Sequence, residues 1–175
     1  LPLTSGLQVF EPGLFEGLPG VFNDSLPDGW GRILLDRALR SKGLSESALS
    51  PLDRLAHVGC AGMGALVYEP DHGQSTIKGA IDLDQLAVQS QRILEGESSD
   101  VLEELVALNG SSAGARPKAM IGVSKDRSKL VQGVHDLNKG YEPWLVKFPN
   151  SQDGSDAGAI EYVYSLMARE AGLEI

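Results

Sequence analysis

The chain has a single cysteine, Cys60, in 175 residues. No internal disulfide is possible, so nothing here reads as a secreted disulfide scaffold. No apolar run reaches the length of a membrane span and no signal-peptide pattern is present, which makes the cytoplasm the expected location. Histidine is scarce as well. His57, His72 and His135 are scattered without a carboxylate or cysteine at ligand spacing, and His57 with Cys60 is too sparse for a zinc site, which needs about four ligands. Basic residues are outnumbered 15 to 24, for a net charge of −9. That balance argues against direct binding to a nucleic-acid backbone, yet a nucleotide site needs only a few local cations. The Walker pattern is also missing. A P-loop requires Gly-x-x-x-x-Gly-Lys-Ser/Thr, and the nearest stretch is Gly110-Ser-Ser-Ala-Gly-Ala-Arg-Pro-Lys118.

An apolar content of 42% is ample for a packed core, and the length suits one domain or two small ones. Helical patterns dominate the first part. Leu18–Ser25 predicts a short helix ended by Leu26-Pro27. Asp28 then caps a helix of about three to four turns, with Trp30, Ile33, Leu34, Ala38 and Leu39 on one face and Gly43 as its stop. Ser50-Pro51-Leu52-Asp53 combines an N-cap, a proline at the first helical position and an acid at the third. Leu52, Leu55 and Ala56 share a side of that helix. Gly62-Met63-Gly64 predicts a turn into a strand over Ala65–Glu69, and residues 71–80 read as a loop. Helices follow around Leu83–Leu94 and from Ser98/Ser99 to about Leu108. The pattern then changes: strands over Ala119–Val123 and Lys129–Val131, a loop over Gly133–Pro143, a strand over Trp144–Phe148 and a helix over Ala157–Ala171. Leu1-Pro2-Leu3 reads as an internal start and Gly172 as a helix stop with more chain to come, so a piece of a longer protein is expected.

The chemistry-bearing residues lie in the second part. Asn109 to Lys118 is rich in glycine, alanine and serine, a composition that lets backbone N–H groups approach an anion. Lys147 sits mid-strand between Val146 and Phe148 and so points to the opposite face. Glu161 follows 14 residues later on a helix whose apolar residues are Ile160, Val163, Tyr164 and Met167. A Lys147–Glu161 pair would aim the ammonium at phosphate oxygens. Loop, strand lysine and helix glutamate, in that order, are the parts of a protein-kinase N-lobe. Asp24, Asp28 and Asp36 are accounted for as caps and helix surface, and the acidic run Glu95–Glu104 as a solvated face.

Five ordered segments together resemble the HipA family of bacterial toxin–antitoxin kinases: Phe22-Asn-Asp-Ser-Leu-Pro-Asp-Gly-Trp-Gly31, Gly59–Pro70, Gly110–Lys118, Trp144–Pro149 and Glu161–Tyr164. The resemblance implies a two-lobed Ser/Thr protein kinase using ATP and Mg2+. Its protein substrate would lie in the translation machinery, such as an aminoacyl-tRNA synthetase. It also implies a helix-turn-helix antitoxin as partner, with DNA reached only through that antitoxin. Carried over by position, Ser112, Ala113, Gly114, Ala115, Lys147 and Glu161 would bind the nucleotide, and Ser111 would be the regulatory phosphorylation site, with Ser112 beside it. The family's catalytic aspartate and metal ligands have no counterpart after Glu161, so no catalytic or metal-binding residue is assigned in this chain.

The expected fold is α+β: a helix-rich N-terminal region over 1–108, with a possible subdivision near 71–80, and a small antiparallel kinase-N-lobe-like sheet with one helix over 109–175. Antiparallel pairing follows from the short polar turn at 124–128. Two alternatives stand beside the kinase reading: a non-catalytic module that binds the antitoxin or a separate kinase chain, and another ATP-binding enzyme such as an ATP-grasp ligase.

Overall fold

The computed structural model describes residues 6–45, 47, 49–73, 80–97, 102–109, 114–133 and 137–175. Among these, a 3-10 turn at Phe15–Gly17 precedes α1 (Gly20–Asn23), α2 (Gly29–Ser41), α3 (Pro51–Val58), α4 (Leu83–Leu94) and α5 (Leu102–Asn109). Strands β1 (Lys118–Ser124), β2 (Leu130–Gln132) and β3 (Tyr141–Lys147) follow, and α6 (Ala157–Glu170) comes last. The fold is α+β, with one antiparallel sheet in the order β2-β1-β3.

Helix ends follow local chemistry. Ser50 and Asp53 form a reciprocal capping box on α3, with Pro51 at its start. The Asp82 side chain accepts from the Asp84 and Gln85 amides at the start of α4. At the end of α2, Leu44 N–H donates to the Leu39 carbonyl at 3.0 Å while Gly43 takes φ +79°, a Schellman stop. The Arg37 guanidinium donates to the Ile93 and Glu97 carbonyls at 2.6 and 2.5 Å, tying α2 to the partially negative C-terminal end of α4.

One face of the sheet meets the helices. Ala119, Ile121 and Val123 alternate along β1 and pack with Trp30 and Leu34 of α2, Leu86 and Ile93 of α4, Leu105 and Leu108 of α5, and Phe148. This core therefore draws on residues from both sides of position 108. A smaller cluster joins Leu18, Leu26 and Leu55, with Tyr68 against it.

Several local expectations change. Residues 65–69 form no strand; the backbone there is tied to the rest by Tyr68 N–H donating to the Gly59 carbonyl, and Tyr68 packs on the small cluster. A strand needs a neighbour to pair with, and none lies beside this segment among the described residues. The last strand starts at Tyr141 rather than Trp144 and contains Pro143, which an edge strand tolerates because one side of its backbone has no partner. On α2 it is Leu35 rather than Ile33 that is buried, and on α3 Arg54 and Val58 rather than Leu52. Ser98 and Ser99, expected to open α5, and His135 lie outside the described residues.

The β1–β2 turn is organised by Asp126. Its carboxylate accepts from the Ser124 and Ser128 hydroxyls at 2.6 and 2.8 Å and from the Ser128 amide. The Ser124 hydroxyl, first of these donors, and Ser128 bring its pKa down from 3.8 to about 2. The carboxylate's contribution to the turn is thus complete above the ordinary value and is lost as pH falls toward about 2. A titration of the Ser128 amide by NMR is expected to show its midpoint near that lower value; a midpoint near 3.8 would mean that the turn does not depend on the charged form.

Candidate functional site

The second face of the sheet carries the expected chemistry. Lys118 of β1 and Lys147 of β3 are direct cross-strand partners, so both side chains leave the sheet on the face away from the helical core. Lys147 is half exposed and donates to the Glu161 carboxylate of α6, the pair expected from the sequence. Through that hydrogen bond and charge, Lys147 lowers the Glu161 pKa.

The buried lysine is the other one. Lys118 is only 5% exposed. Burial holds its pKa below the ordinary lysine value; Asp28 works against that shift and the neighbouring Lys147 adds to it. Like charges directly opposite on adjacent strands disfavour a bare sheet. Here a carboxylate attends each lysine, Asp28 near Lys118 and Glu161 on Lys147. Sequence reading placed Lys118 only at the end of the loop. The signal that could have found it is parity: Lys118 precedes the core-facing Ala119, Ile121 and Val123 by an odd step, which puts it on Lys147's face.

Gly114 lies directly over this lysine. A Cβ added at Gly114 would stand 2.8 Å from Lys118 Nζ and push the ammonium aside, and φ at Gly114 is +107°, a conformation that favours glycine. Ala115 beside it is exposed. Arg116 is held by Asp153 at 2.6 Å, and Pro117 is buried, its carbonyl accepting from Phe148 N–H at 2.8 Å. Of the nucleotide-binding residues expected from the sequence, the structure therefore brings together Gly114, Ala115, Lys147 and Glu161. Ser111, Ser112 and Ala113 lie outside the described residues.

Asp28 is a correction. It stands at the N-cap position of α2, but its side chain makes no cap hydrogen bond to that helix. Instead its Oδ1 accepts from the Gly114 N–H at 2.8 Å, and the Trp30 N–H donates to the Gly114 carbonyl at 3.1 Å. Helix and loop thus cap one another. Asp36 meets Arg32 and Arg54, at 3.8 and 3.9 Å.

Other features stand apart. An open cleft of about 780 Å³, lined by Arg32, Arg40, Leu44 and Arg54 among others, contains none of the residues above, and Glu16 and Asp36 answer the charge of Arg32 and Arg54. The His57 and His72 rings meet edge to face at 5.6 Å. Among the described residues no group of three or more His, Cys, Asp or Glu side chains could hold a metal ion. No described helix is long and apolar enough to cross a membrane.

Fold and site together define an α+β protein in which a helical N-terminal region grips a glycine loop above a lysine pair. Residues 1–69 match the family model of the HipA N-terminal domain. Residues 1–69 are thus similar to a HipA N-terminal domain, and Asp28 and Trp30, which bond to Gly114, fall within them. Comparisons with curated proteins and with solved structures gave no match.

Proposed function

We propose that this chain is the nucleotide-holding N-terminal part of a HipA-like Ser/Thr protein kinase, the toxin of a toxin–antitoxin pair. The observation that carries the reading is the Lys118–Lys147 pair under Gly114, with Glu161 bonded to Lys147. Two ammonium groups side by side, next to a backbone with no Cβ in the way, suit the closely spaced charges of a triphosphate. Lys147 is steered by Glu161 and Lys118 is fixed by burial, so both are positioned before a ligand arrives.

Each residue then has a task. Lys118 and Lys147 bind ATP phosphate oxygens, Glu161 orients Lys147, and the amides around Gly114 and Ala115 approach the phosphates. Ser111, in this reading, is the regulated serine. A phosphate there adds about −1.5 to −2 charge and repels the nucleotide. Mg2+ would offset charge between the phosphates, and its ligands are not among these residues. The protein substrate belongs to translation, for example an aminoacyl-tRNA synthetase, and a helix-turn-helix antitoxin is the partner.

Phosphoryl transfer also needs a carboxylate to accept the substrate's hydroxyl proton. Among the described residues the carboxylates beside the lysines are already engaged, Asp28 by the Gly114 amide and Glu161 by Lys147, and this reading gives neither of them that role. Pure chain with ATP, Mg2+ and a protein acceptor is therefore expected to transfer no phosphate while still binding ATP. Calorimetric titration tests the binding: ATP should bind more tightly than adenosine, and Lys147→Met should weaken ATP binding about tenfold. Equal binding of ATP and adenosine would contradict a phosphate site, and robust protein phosphorylation would contradict the division of labour.

A second reading, a non-catalytic binding module, is favoured by α6. It has no buried residue, and Ile160, Tyr162, Val163, Tyr164 and Met167 are all exposed. Such a surface calls for a macromolecular neighbour. Under the kinase reading that neighbour is a catalytic lobe; under the module reading it is a separate chain, and ATP affinity is lost together with its purpose.

A further inference from the structure

The contact between α2 and the glycine loop is unusual in what it consumes. Gly114 offers one N–H, the group an anion bound over Lys118 would seek. That N–H is already donated to the Asp28 carboxylate at 2.8 Å. The charge of the same carboxylate also acts on Lys118, favouring its charged form. The other half of the contact uses different atoms: Trp30 N–H to the Gly114 carbonyl at 3.1 Å. Close approach is permitted by Gly29. A Cβ there would stand 2.7 Å from the Gly114 carbonyl oxygen and 2.9 Å from the Ala115 Cα, and φ at Gly29 is +40°. Gly31 does the same for Asn109, whose Nδ2 would lie 2.7 Å from an added Cβ.

We infer that Asp28 occupies the anion position at Gly114 and Lys118 in the ligand-free protein, and that a triphosphate must displace its carboxylate to bind. The inference rests on the phosphate reading of this site and extends it to regulation by the N-terminal region. A carboxylate and a phosphate present the same chemistry here, negative oxygen acceptors for one N–H and one ammonium. They compete for a place that holds one of them. The Trp30–Gly114 bond is untouched by the exchange, because it uses the carbonyl. The loop can therefore stay in register on α2 while its amide changes partner. Asp28 is thus a positioning residue: it keeps the amide aimed and the lysine neutralised until the ligand arrives, at a cost in affinity.

Two variants of the full 175-residue chain separate the parts of this claim. Asp28→Ala removes the acceptor, and Asp28→Asn keeps an acceptor oxygen but removes the charge. Amide hydrogen exchange at Gly114 reads the contact itself, and calorimetric titration with inorganic tripolyphosphate at one low salt concentration reads the competition. Exchange at Gly114 should speed up roughly tenfold in Asp28→Ala, the size of one hydrogen bond, and both variants should bind tripolyphosphate severalfold more tightly than the wild type. Unchanged exchange in Asp28→Ala overturns the contact. Faster exchange with tripolyphosphate affinity equal to or weaker than wild type overturns the competition. Absence of tripolyphosphate binding in all three proteins overturns the phosphate site and the competition with it, while the exchange data still decide whether Asp28 holds the loop. Asp28 is exposed on a helix end, so both variants should fold, which their melting curves check.

Discussion

Lys118→Met is expected to leave the protein folded and at least as stable, while ATP affinity falls by about tenfold or more. The two halves of this result have one cause. Lys118 is 5% exposed, and burial holds its pKa below the ordinary value, which means the folded environment disfavours its charge relative to water. Methionine keeps the length of the side chain and drops the charge. Stability should hold or rise by about 1 kcal/mol, as it does when buried charges give way to apolar groups of similar size. The pH dependence gives the sign. Where the folded protein has lost the Lys118 proton and the unfolded chain still binds it, stability rises with pH. The wild type should therefore gain stability as pH climbs from the lowered pKa toward 10.5, and the variant should lack that gain. Chemical denaturation across that range checks the slope, and calorimetry checks the binding. A residue kept at a cost to stability is what a ligand site requires.

Trp30→Ala is expected to have the largest effect on the fold. Trp30 is fully buried, and it belongs to the cluster that joins α2, α4, α5 and β1. Truncating it should cost about 3–5 kcal/mol. For a domain of this size the melting temperature should drop by on the order of 10 °C, if the protein remains folded at all. Trp30→Phe separates packing from polarity. The Trp30 Nε1 is buried with no hydrogen-bond partner among the described residues, so the indole N–H already counts against the folded state. Phenylalanine removes that donor and leaves a smaller void, and the loss should be about 1–2 kcal/mol. Both variants keep the backbone N–H that Trp30 donates to the Gly114 carbonyl, so faster exchange at Gly114 in Trp30→Ala would report movement of α2 after the packing is lost, and Trp30→Phe should show none. Thermal melts of the two variants, run with exchange at Gly114, distinguish these outcomes; similar losses for both would mean that the tryptophan is not a packing anchor.

The parts legible in the sequence were those governed by nearby residues. The capping box at Ser50 and Asp53, the glycine stop at Gly43 and the polar turn at 124–128 are each set within a few positions. The Lys147–Glu161 pair was also readable, since strand parity fixes which side the lysine leaves and the following helix brings the glutamate back over it. What escaped was decided across the fold. Asp28 fits the local pattern of a helix cap, yet its carboxylate is taken by an amide 86 positions away. Lys118 looks like a loop cation until β1 pairs with β3 and places it beneath Gly114. Residues 65–69 have strand-like composition but no partner strand among the described residues, and an unpartnered strand leaves its backbone groups unanswered. Helix α6 shows apolar residues at helical spacing, and that spacing does not say what covers them.

The central claim is that phosphate groups sit over Lys118 and Lys147 beside Gly114. Its most direct test is an NMR titration of the chain with ATP, and in parallel with adenosine, following backbone amides and the two lysine side chains. The amides of Gly114 and Ala115 and the Nζ signals of Lys118 and Lys147 should move saturably with ATP and stay still with adenosine, and the movement should shrink as salt is raised. Shifts confined to other residues, or the same shifts with adenosine as with ATP, would contradict a phosphate site at this lysine pair.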